Sequence, residues 1–186
     1  MRNRIKTVAV YCGHQFGVNP AFVRDAGLVG ELIAKNGLNM VFGGGNVGLM
    51  GTVSSAALNN SGHVIGISTE YVVAKQEPVH EKVDVKIVRG VNERKQKMFE
   101  LSDAFIILPG GIGTLNEATD ILTMQQIGET IKPIFFLNTN RFWAPLHDLI
   151  VDMRTNEFIE TLDDYNVIIA NTPQELIETI LNYGTK

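Results

Sequence analysis

Leu108-Pro-Gly-Gly-Ile-Gly-Thr-Leu-Asn-Glu117 joins the end of an apolar run, residues 104–108, to a segment of helical character. A strand that ends in glycines and hands over directly to a helix is the repeating unit of a parallel α/β sheet. Six further apolar runs, 7–12, 39–42, 63–68, 83–88, 133–137 and 166–170, repeat the arrangement. Most are rich in Val, Ile and Phe without strict alternation, which suits strands covered on both faces. Amphipathic segments lie between them, and in the first Phe22, Ala26, Val29 and Ile33 share one helical stripe. The alternation predicts an α/β fold: a doubly wound parallel sheet of about seven strands with helices on both faces. No repeat, linker or low-complexity stretch interrupts it, so residues 1–186 read as a single domain.

Composition narrows the function classes. Hydrophobic residues make up 45% of the chain and charged residues 19%, a globular balance. The net charge of -4 carries no electrostatic footprint for nucleic acid. Any anion must therefore be held locally, by a loop or a few placed cations. Cys12 is the single cysteine, which excludes an internal disulfide and points to a reducing, cytoplasmic setting. The basic start at Met1 to Lys6 leads into a strand too short for a signal peptide. No apolar run approaches the ~20 residues of a membrane helix. The histidines at 14, 63, 80 and 147 are scattered, with no spacing that resembles a metal cage, and no metal or redox cofactor is expected.

Folds of this class bind ligands where strands hand over to helices, beside a topological switch point. Three junctions stand out. In the one quoted above, Gly110, Gly111 and Gly113 present no side chain to an incoming group, and free amides at a helix start favour an anion. Thr114 adds a hydroxyl. Thr114-x-x-Glu117 also has capping-box spacing, which recurs at Thr172-Pro-Gln-Glu175. By spacing alone, Glu117 is as much a helix cap as a catalyst.

The second junction is Phe42-Gly-Gly-Gly-Asn-Val-Gly-Leu-Met-Gly51. Its Gly43-x-Gly45-x-x-Gly48 matches a dinucleotide fingerprint, with Glu70 at about the right distance beyond. The loop follows the second strand rather than the first, which argues against that reading, and ligand-free tight turns are a third. The third junction is Arg89-Gly-Val-Asn-Glu-Arg-Lys-Gln-Lys-Met98. Asn92 reads as its N-cap. Arg94 and Lys95 then fall in the first helical turn, against the helix dipole, at a cost of roughly 0.3–1 kcal/mol each when exposed. A broken local rule often marks function. An i,i+4 pair of Glu93 with Lys97 would instead make this a solvated face. Arg94 and Met98 share a face that could set a cation beside an apolar patch suited to a flat base.

These segments resemble the Lonely Guy family, the cytokinin riboside 5'-monophosphate phosphoribohydrolases, earlier labelled lysine decarboxylases. Val8 to Gly13 is similar to the family's opening strand, and Phe42 to Gly51 to its first glycine loop. Glu93-Arg-Lys-Gln-Lys-Met98 is similar to its basic helix start, and Ser102-Asp-Ala-Phe105 to its next strand. Pro109-Gly-Gly-Ile-Gly-Thr-Leu-Asn-Glu117 fits the Pro-Gly-Gly-x-Gly-Thr-x-x-Glu signature without a gap. The resemblance implies a Rossmann-like homodimer in which Arg94 and Glu117 carry catalysis. It implies substrate contacts from Lys95, from Gly111, Ile112, Gly113, Thr114, Leu115 and Asn116, from Thr123, and from an upstream acid whose nearest match is Glu77. With Gly44, Gly45 and Gly110 of the loops and Met98, these make up the candidate site. His14-Gln15 stand where the family has small residues, Asn116 replaces the first of two common acids, and 68–91 is matched loosely, so base specificity is left open.

The implied reaction is hydrolysis of an N-glycosidic bond in a purine nucleoside 5'-monophosphate such as AMP or an N6-modified AMP. The products are free base and ribose 5-phosphate. Positive charge develops on the ribose as that bond breaks, and a carboxylate beside the anomeric carbon stabilises it. Glu117 would supply the carboxylate, ionised at a helix start, and the second glycine loop would hold the phosphate. A non-catalytic nucleotide or molybdenum-cofactor carrier on the same fold, and a dinucleotide-dependent oxidoreductase, are the alternatives.

Overall fold

A computed structural model describes residues 4–75, 79–159 and 165–183. Its strands are β1 (Thr7–Tyr11), β2 (Asn39–Phe42), β3 (Val64–Thr69), β4 (Val85–Val88), β5 (Ala104–Ile107), β6 (Ile134–Leu137) and β7 (Val167–Ala170). Each coincides with one of the seven apolar runs to within two residues. The helices are α1 (Pro20–Lys35), α2 (Gly48–Asn59), α3 (Glu70–Lys75), α4 (Val91–Leu101), α5 (Ile112–Gln126), α6 (Ala144–Thr155) and α7 (Pro173–Asn182). The strands form one sheet in the order β4-β3-β2-β1-β5-β6-β7. Every pairing is parallel.

The sheet separates two apolar layers because alternate strand residues face opposite ways. Val8 and Val10 join Ala104 and Ile106 under α1, α2 and α7. Ala9 and Tyr11 join Phe105 and Ile107 under α4 and α5. Ala26, Val29 and Ile33 are the buried stripe of α1, with Phe22 half-buried beside them, as the spacing predicts. The edge strand β4 departs from the two-face expectation: Lys86 and Ile87 are exposed, since among the described residues no further strand pairs beyond it.

The chain winds outward from β1 to β4 and then jumps to β5 on the other side of β1. That reversal makes the carboxyl ends of β1 and β5 a topological switch point, where a crevice opens. Local capping fixes the helix starts elsewhere. Asn19 accepts from Ala21 N–H at 2.9 Å ahead of Pro20. Thr172 accepts from Glu175 N–H at 3.2 Å, and the Glu175 carboxylate turns back to Asn171 N–H at 2.7 Å. The second capping-box sequence is therefore structural.

The face carrying α1 and α2 is set by one small residue. A Cβ on Gly30 would lie 2.1 Å from the Val53 carbonyl oxygen. Gly30→Ala should gain helix propensity of roughly 1 kcal/mol yet lose about 1–3 kcal/mol to overpacking. The expected outcome is a lower Tm and an unchanged circular-dichroism spectrum; a Tm at or above the parent's would show that α1 can move off α2 freely.

Candidate active site

The crevice at the β1–β5 switch point gathers the starts of α4 and α5 over the end of β1. Gly13 N–H donates to the Pro109 carbonyl at 3.0 Å, tying the two loops together just past their strands. The Gly13 carbonyl in turn accepts from Leu49 and Met50 N–H at 3.1 and 3.3 Å. These are the first amides of α2, the groups a pyrophosphate would need. A Cβ on Gly48 would lie 2.2 Å from the His14 carbonyl, so this helix start is closed by protein. The dinucleotide fingerprint in the first glycine loop is thus a turn packed against β1, with no cradle for a pyrophosphate.

The start of α5 is built differently. Gly111 is its N-cap and offers no side chain to the first-turn amides. Gly111, Ile112 and Gly113 are exposed. A Cβ on Gly111 or Gly113 would meet nothing within 4 Å, so packing does not demand glycine there and the space is left to a ligand. Gly110 is the opposite case. A Cβ there would lie 2.2 Å from the buried Thr114 Oγ1, so it shapes the loop from behind.

Arg94 and Glu117 meet across this crevice. Arg94 Nη1 donates to Glu117 Oε1 at 2.8 Å, and the side chains are 12% and 11% exposed. Arg94 Nε donates to the Ile67 carbonyl at 3.0 Å, fixing the guanidinium to the end of β3. Its Nη2 rests on Gly43, where a Cβ would come within 2.2 Å. The capping-box reading of Glu117 is therefore corrected: with Gly111 as N-cap, the carboxyl sits in the second turn and faces Arg94. Asn92 is corrected likewise. Gly90, in an extended conformation, is the N-cap of α4, and its carbonyl accepts from Arg94 N–H at 3.0 Å. The Glu93 carboxylate turns back to Arg89 N–H at 3.0 Å, while Lys97 lies 3.6 Å from Glu100 instead.

A second pair runs beside the first. Lys95 Nζ donates to Asn116 Oδ1 at 3.1 Å and to the Asp120 carboxylate. Burial pushes the Glu117 carboxyl above its ordinary value, against the pull of Arg94 and Lys95 and with a smaller push from Asp120. The Tyr11 hydroxyl is also pushed up, by burial first and by the Glu117 charge second.

Two cavities open from this cluster. One, about 370 Å³, is lined by eight expected residues: Arg94, Lys95, Gly111, Ile112, Gly113, Thr114, Asn116 and Glu117. The other, about 360 Å³, lies between α4 and α5 and includes Thr123, Gln96, Phe99 and Asp120. Tyr11, Lys95 and Glu117 line both. Five expectations fall elsewhere, Gly110 behind the loop being one. Met98 has no exposed surface and packs in the core, because the inner side of the Arg94 face is the side toward the sheet. Leu115 is half-buried against the same core. Gly44 and Gly45 lie behind Gly43, which is the loop glycine on the cavity wall. Glu77 lies outside the described residues. Sequence reading missed Tyr11, Gly43 and Asp120. Asp120 could have been found, since it stands one helical turn from Glu117.

A family model described as possible lysine decarboxylase matches residues 50–180. The cytokinin riboside 5'-monophosphate phosphoribohydrolase of Oryza sativa subsp. japonica is 37% identical over 186 residues, covering 98% of this chain and 75% of that one. The enzyme of that name from Rhodococcoides fascians is 36% identical over 176 residues, covering 94% and 89%. The chain belongs to the Lonely Guy family. Among solved structures, the molybdenum cofactor binding protein of Rippkaea orientalis is 30% identical with a TM-score of 0.65, covering 97% and 96%. A molybdenum cofactor carrier protein from Chlamydomonas reinhardtii, at 20% identity and TM-score 0.67 over 98% and 100%, shares the fold.

For this Lonely Guy chain the contact of Gly43 with Arg94 is directly testable. Gly43→Ala must displace the guanidinium, and a misplacement of about 1 Å can cost roughly a hundredfold in rate. Turnover should fall by about that factor while the fold persists; near-parent turnover would mean that the position of Arg94 is immaterial.

Proposed function

We propose that residues 1–186 form one Rossmann-like hydrolase domain that cleaves the N-glycosidic bond of an adenine-type purine nucleoside 5'-monophosphate, AMP or an N6-modified AMP. The observation that carries the reading is the buried Arg94–Glu117 pair, set where two cavities meet beside an open, glycine-flanked helix start. The 5'-phosphate is held by the first-turn amides of α5, with Lys95 beside them. That places the ribose against Glu117 and directs the base into the cavity between α4 and α5, toward Thr123 and Gln96.

In the reaction the bond from the anomeric carbon to the base nitrogen breaks with its electron pair leaving on the base. Water adds its oxygen to the anomeric carbon. Ionised Glu117 stabilises the positive charge on the ribose and accepts the proton that the water gives up; the base nitrogen takes a proton from solvent and Glu117 returns its own to solvent, so that water supplies the hydrogen on the base and the hydroxyl on the sugar. The upward displacement of the Glu117 carboxyl makes it a stronger base than an exposed glutamate. Arg94 keeps it oriented and pulls it back toward the charged form.

The rice and Rhodococcoides fascians relatives, by their names, support this reaction. A second reading, a cofactor carrier without turnover, is favoured only by the name of the Rippkaea orientalis relative. A homodimer fits the apolar residues left exposed near the cavity mouths, Val91, Ile112 and Ile127, and along α6, Leu149 and Met153. A cytoplasmic location fits the lone reduced cysteine.

Incubation with paired nucleotides and nucleosides, assayed for free base and ribose 5-phosphate, tests the reading. The nucleotides should turn over and the matching nucleosides should not, because phosphate binding orients the sugar. Glu117→Gln should lower turnover roughly a hundredfold, as loss of one charge-stabilising group commonly does. It should also lower Tm, since Arg94 loses its counter-charge. Glu175→Gln, in the true capping box, should change neither quantity much.

The pH profile has a defined sign. Glu117 acts as the carboxylate, so kcat/KM should fall on the acid side as it takes up a proton, at a midpoint above the ordinary 4.5. Arg94→Gln removes the main lowering influence and should move that midpoint further up. A midpoint unmoved in Arg94→Gln would assign the acid limb to another group.

A further inference from the structure

His80 stands outside both cavities and takes no part in the reaction, yet it is almost entirely buried, at 4% exposure. Its backbone N–H donates to the Gly44 carbonyl at 3.0 Å, next to an isolated antiparallel bridge between Gly45 and Val79. Its ring is held on both nitrogens. Nδ1 accepts from Lys82 N–H at 3.2 Å, the geometry of an Asx-type turn, and Nε2 lies 3.0 Å from Ser55 Oγ on α2. Phe42 packs edge-on against the ring, with centroids 6.4 Å apart. Because Nδ1 accepts a backbone proton, the ring is neutral and carries its hydrogen on Nε2, toward Ser55. Burial, with Lys82 close by, holds the imidazole below its ordinary range, which keeps it in that state.

What this clamp holds is the first glycine loop. Gly44 has a positive φ of 79°, and its carbonyl accepts from the His80 backbone N–H, whose place is set by the ring's own contacts with Lys82 and Ser55. Gly43, its neighbour, is the surface against which Arg94 Nη2 rests. The side chain of Arg94 is thereby confined between the Ile67 carbonyl, Glu117 and Gly43. From Gly48 onward the loop is pinned on Gly13 and His14, so the stretch at Gly43 and Gly44 is the part that the His80 contact holds.

We infer that His80 is a positioning residue: its ring, fixed between Lys82 N–H and Ser55, anchors the first glycine loop beneath Arg94 and so sets how Arg94 presents Glu117. The inference rests on the reading of Arg94 and Glu117 as the reacting pair. Loss of the anchor lets Gly43 retreat and the guanidinium rotate. The phosphate site at the start of α5 lies on a different loop and keeps its geometry, so the effect falls on kcat and spares KM.

Three variants separate this from a purely structural role. His80→Leu should lower kcat about tenfold or more with KM within about twofold. His80→Asn places an acceptor oxygen near the former Nδ1, keeps the turn to Lys82 N–H, and should recover most of that loss. Ser55→Ala should show a smaller loss of the same kind. An independent readout is the Arg94 Nε–H resonance by NMR, assigned by its disappearance in Arg94→Lys. It should shift or broaden in His80→Leu and in Ser55→Ala, and return toward the parent position in His80→Asn. An unchanged resonance in folded His80→Leu overturns the inference, as does one unchanged in Ser55→Ala should His80→Leu fail to fold. Equal kcat losses in His80→Leu and His80→Asn overturn it as well. If the parent protein cleaves no nucleotide, the proposed function fails, and the resonance still decides whether His80 positions Arg94.

Discussion

A guanidinium and a carboxylate, each about one-tenth exposed, lie 2.8 Å apart where the sheet reverses its order. Removing two charges from water costs several kcal/mol per ion, and their attraction offsets this only with good geometry and further hydrogen bonds. The surrounding structure supplies those conditions. The Ile67 carbonyl takes the Nε proton of Arg94. Gly43 leaves room for the second guanidinium nitrogen. Lys95 and Asp120 add a parallel pair along the same two helices. A site held this closely keeps its donors and acceptors aimed before substrate arrives, which is the condition for electrostatic catalysis.

The two glycine loops do different work, although their sequences look alike. In the first, glycines let backbone approach backbone: α2 starts against the Gly13 carbonyl, and Gly48 lies on His14. In the second, Gly110 serves packing in the same way, but Gly111 and Gly113 face open space. A glycine that nothing crowds is the one whose missing side chain benefits a ligand. That distinction makes the start of α5 the open helix end of the two and leaves α2 as a buttress.

The fold was legible because buried parallel strands are short continuous apolar runs, and their order follows from right-handed crossovers. Runs at 104–108 and 133–137 need no context to be recognised. The helix starts were less legible. Thr114-x-x-Glu117 and Thr172-x-x-Glu175 share one spacing, but only the second caps, because Thr172 is extended and free to turn its hydroxyl onto Glu175 N–H. Thr114 already lies inside its helix, since the chain leaves β5 through Gly111. The same shift moved the N-cap of α4 from Asn92 to Gly90. Met98 was misread because a helical stripe shows which residues share a face and not which of them points at the sheet. His80 carried no motif at all; its role depends on contacts with Gly44 and Ser55, 36 and 25 positions away.

The proposed 5'-phosphate would have to be held by an acidic chain, so the local charge balance matters. The net charge of -4 repels anions at long range. At the site itself Arg94 and Lys95 face Glu117 and Asp120, two charges of each sign. Such a cluster sums to nothing, so any pull on the proposed phosphate would come from oriented amides at the start of α5, a dipole that needs no counter-charge. Asn116 matters for this balance. An acid at that position would add a third carboxylate to the cluster and leave it negative at the open start of α5. Asn116 accepts from Lys95 without adding charge. An amide at 116 thus keeps the lysine's contact while adding no negative charge at the mouth of α5.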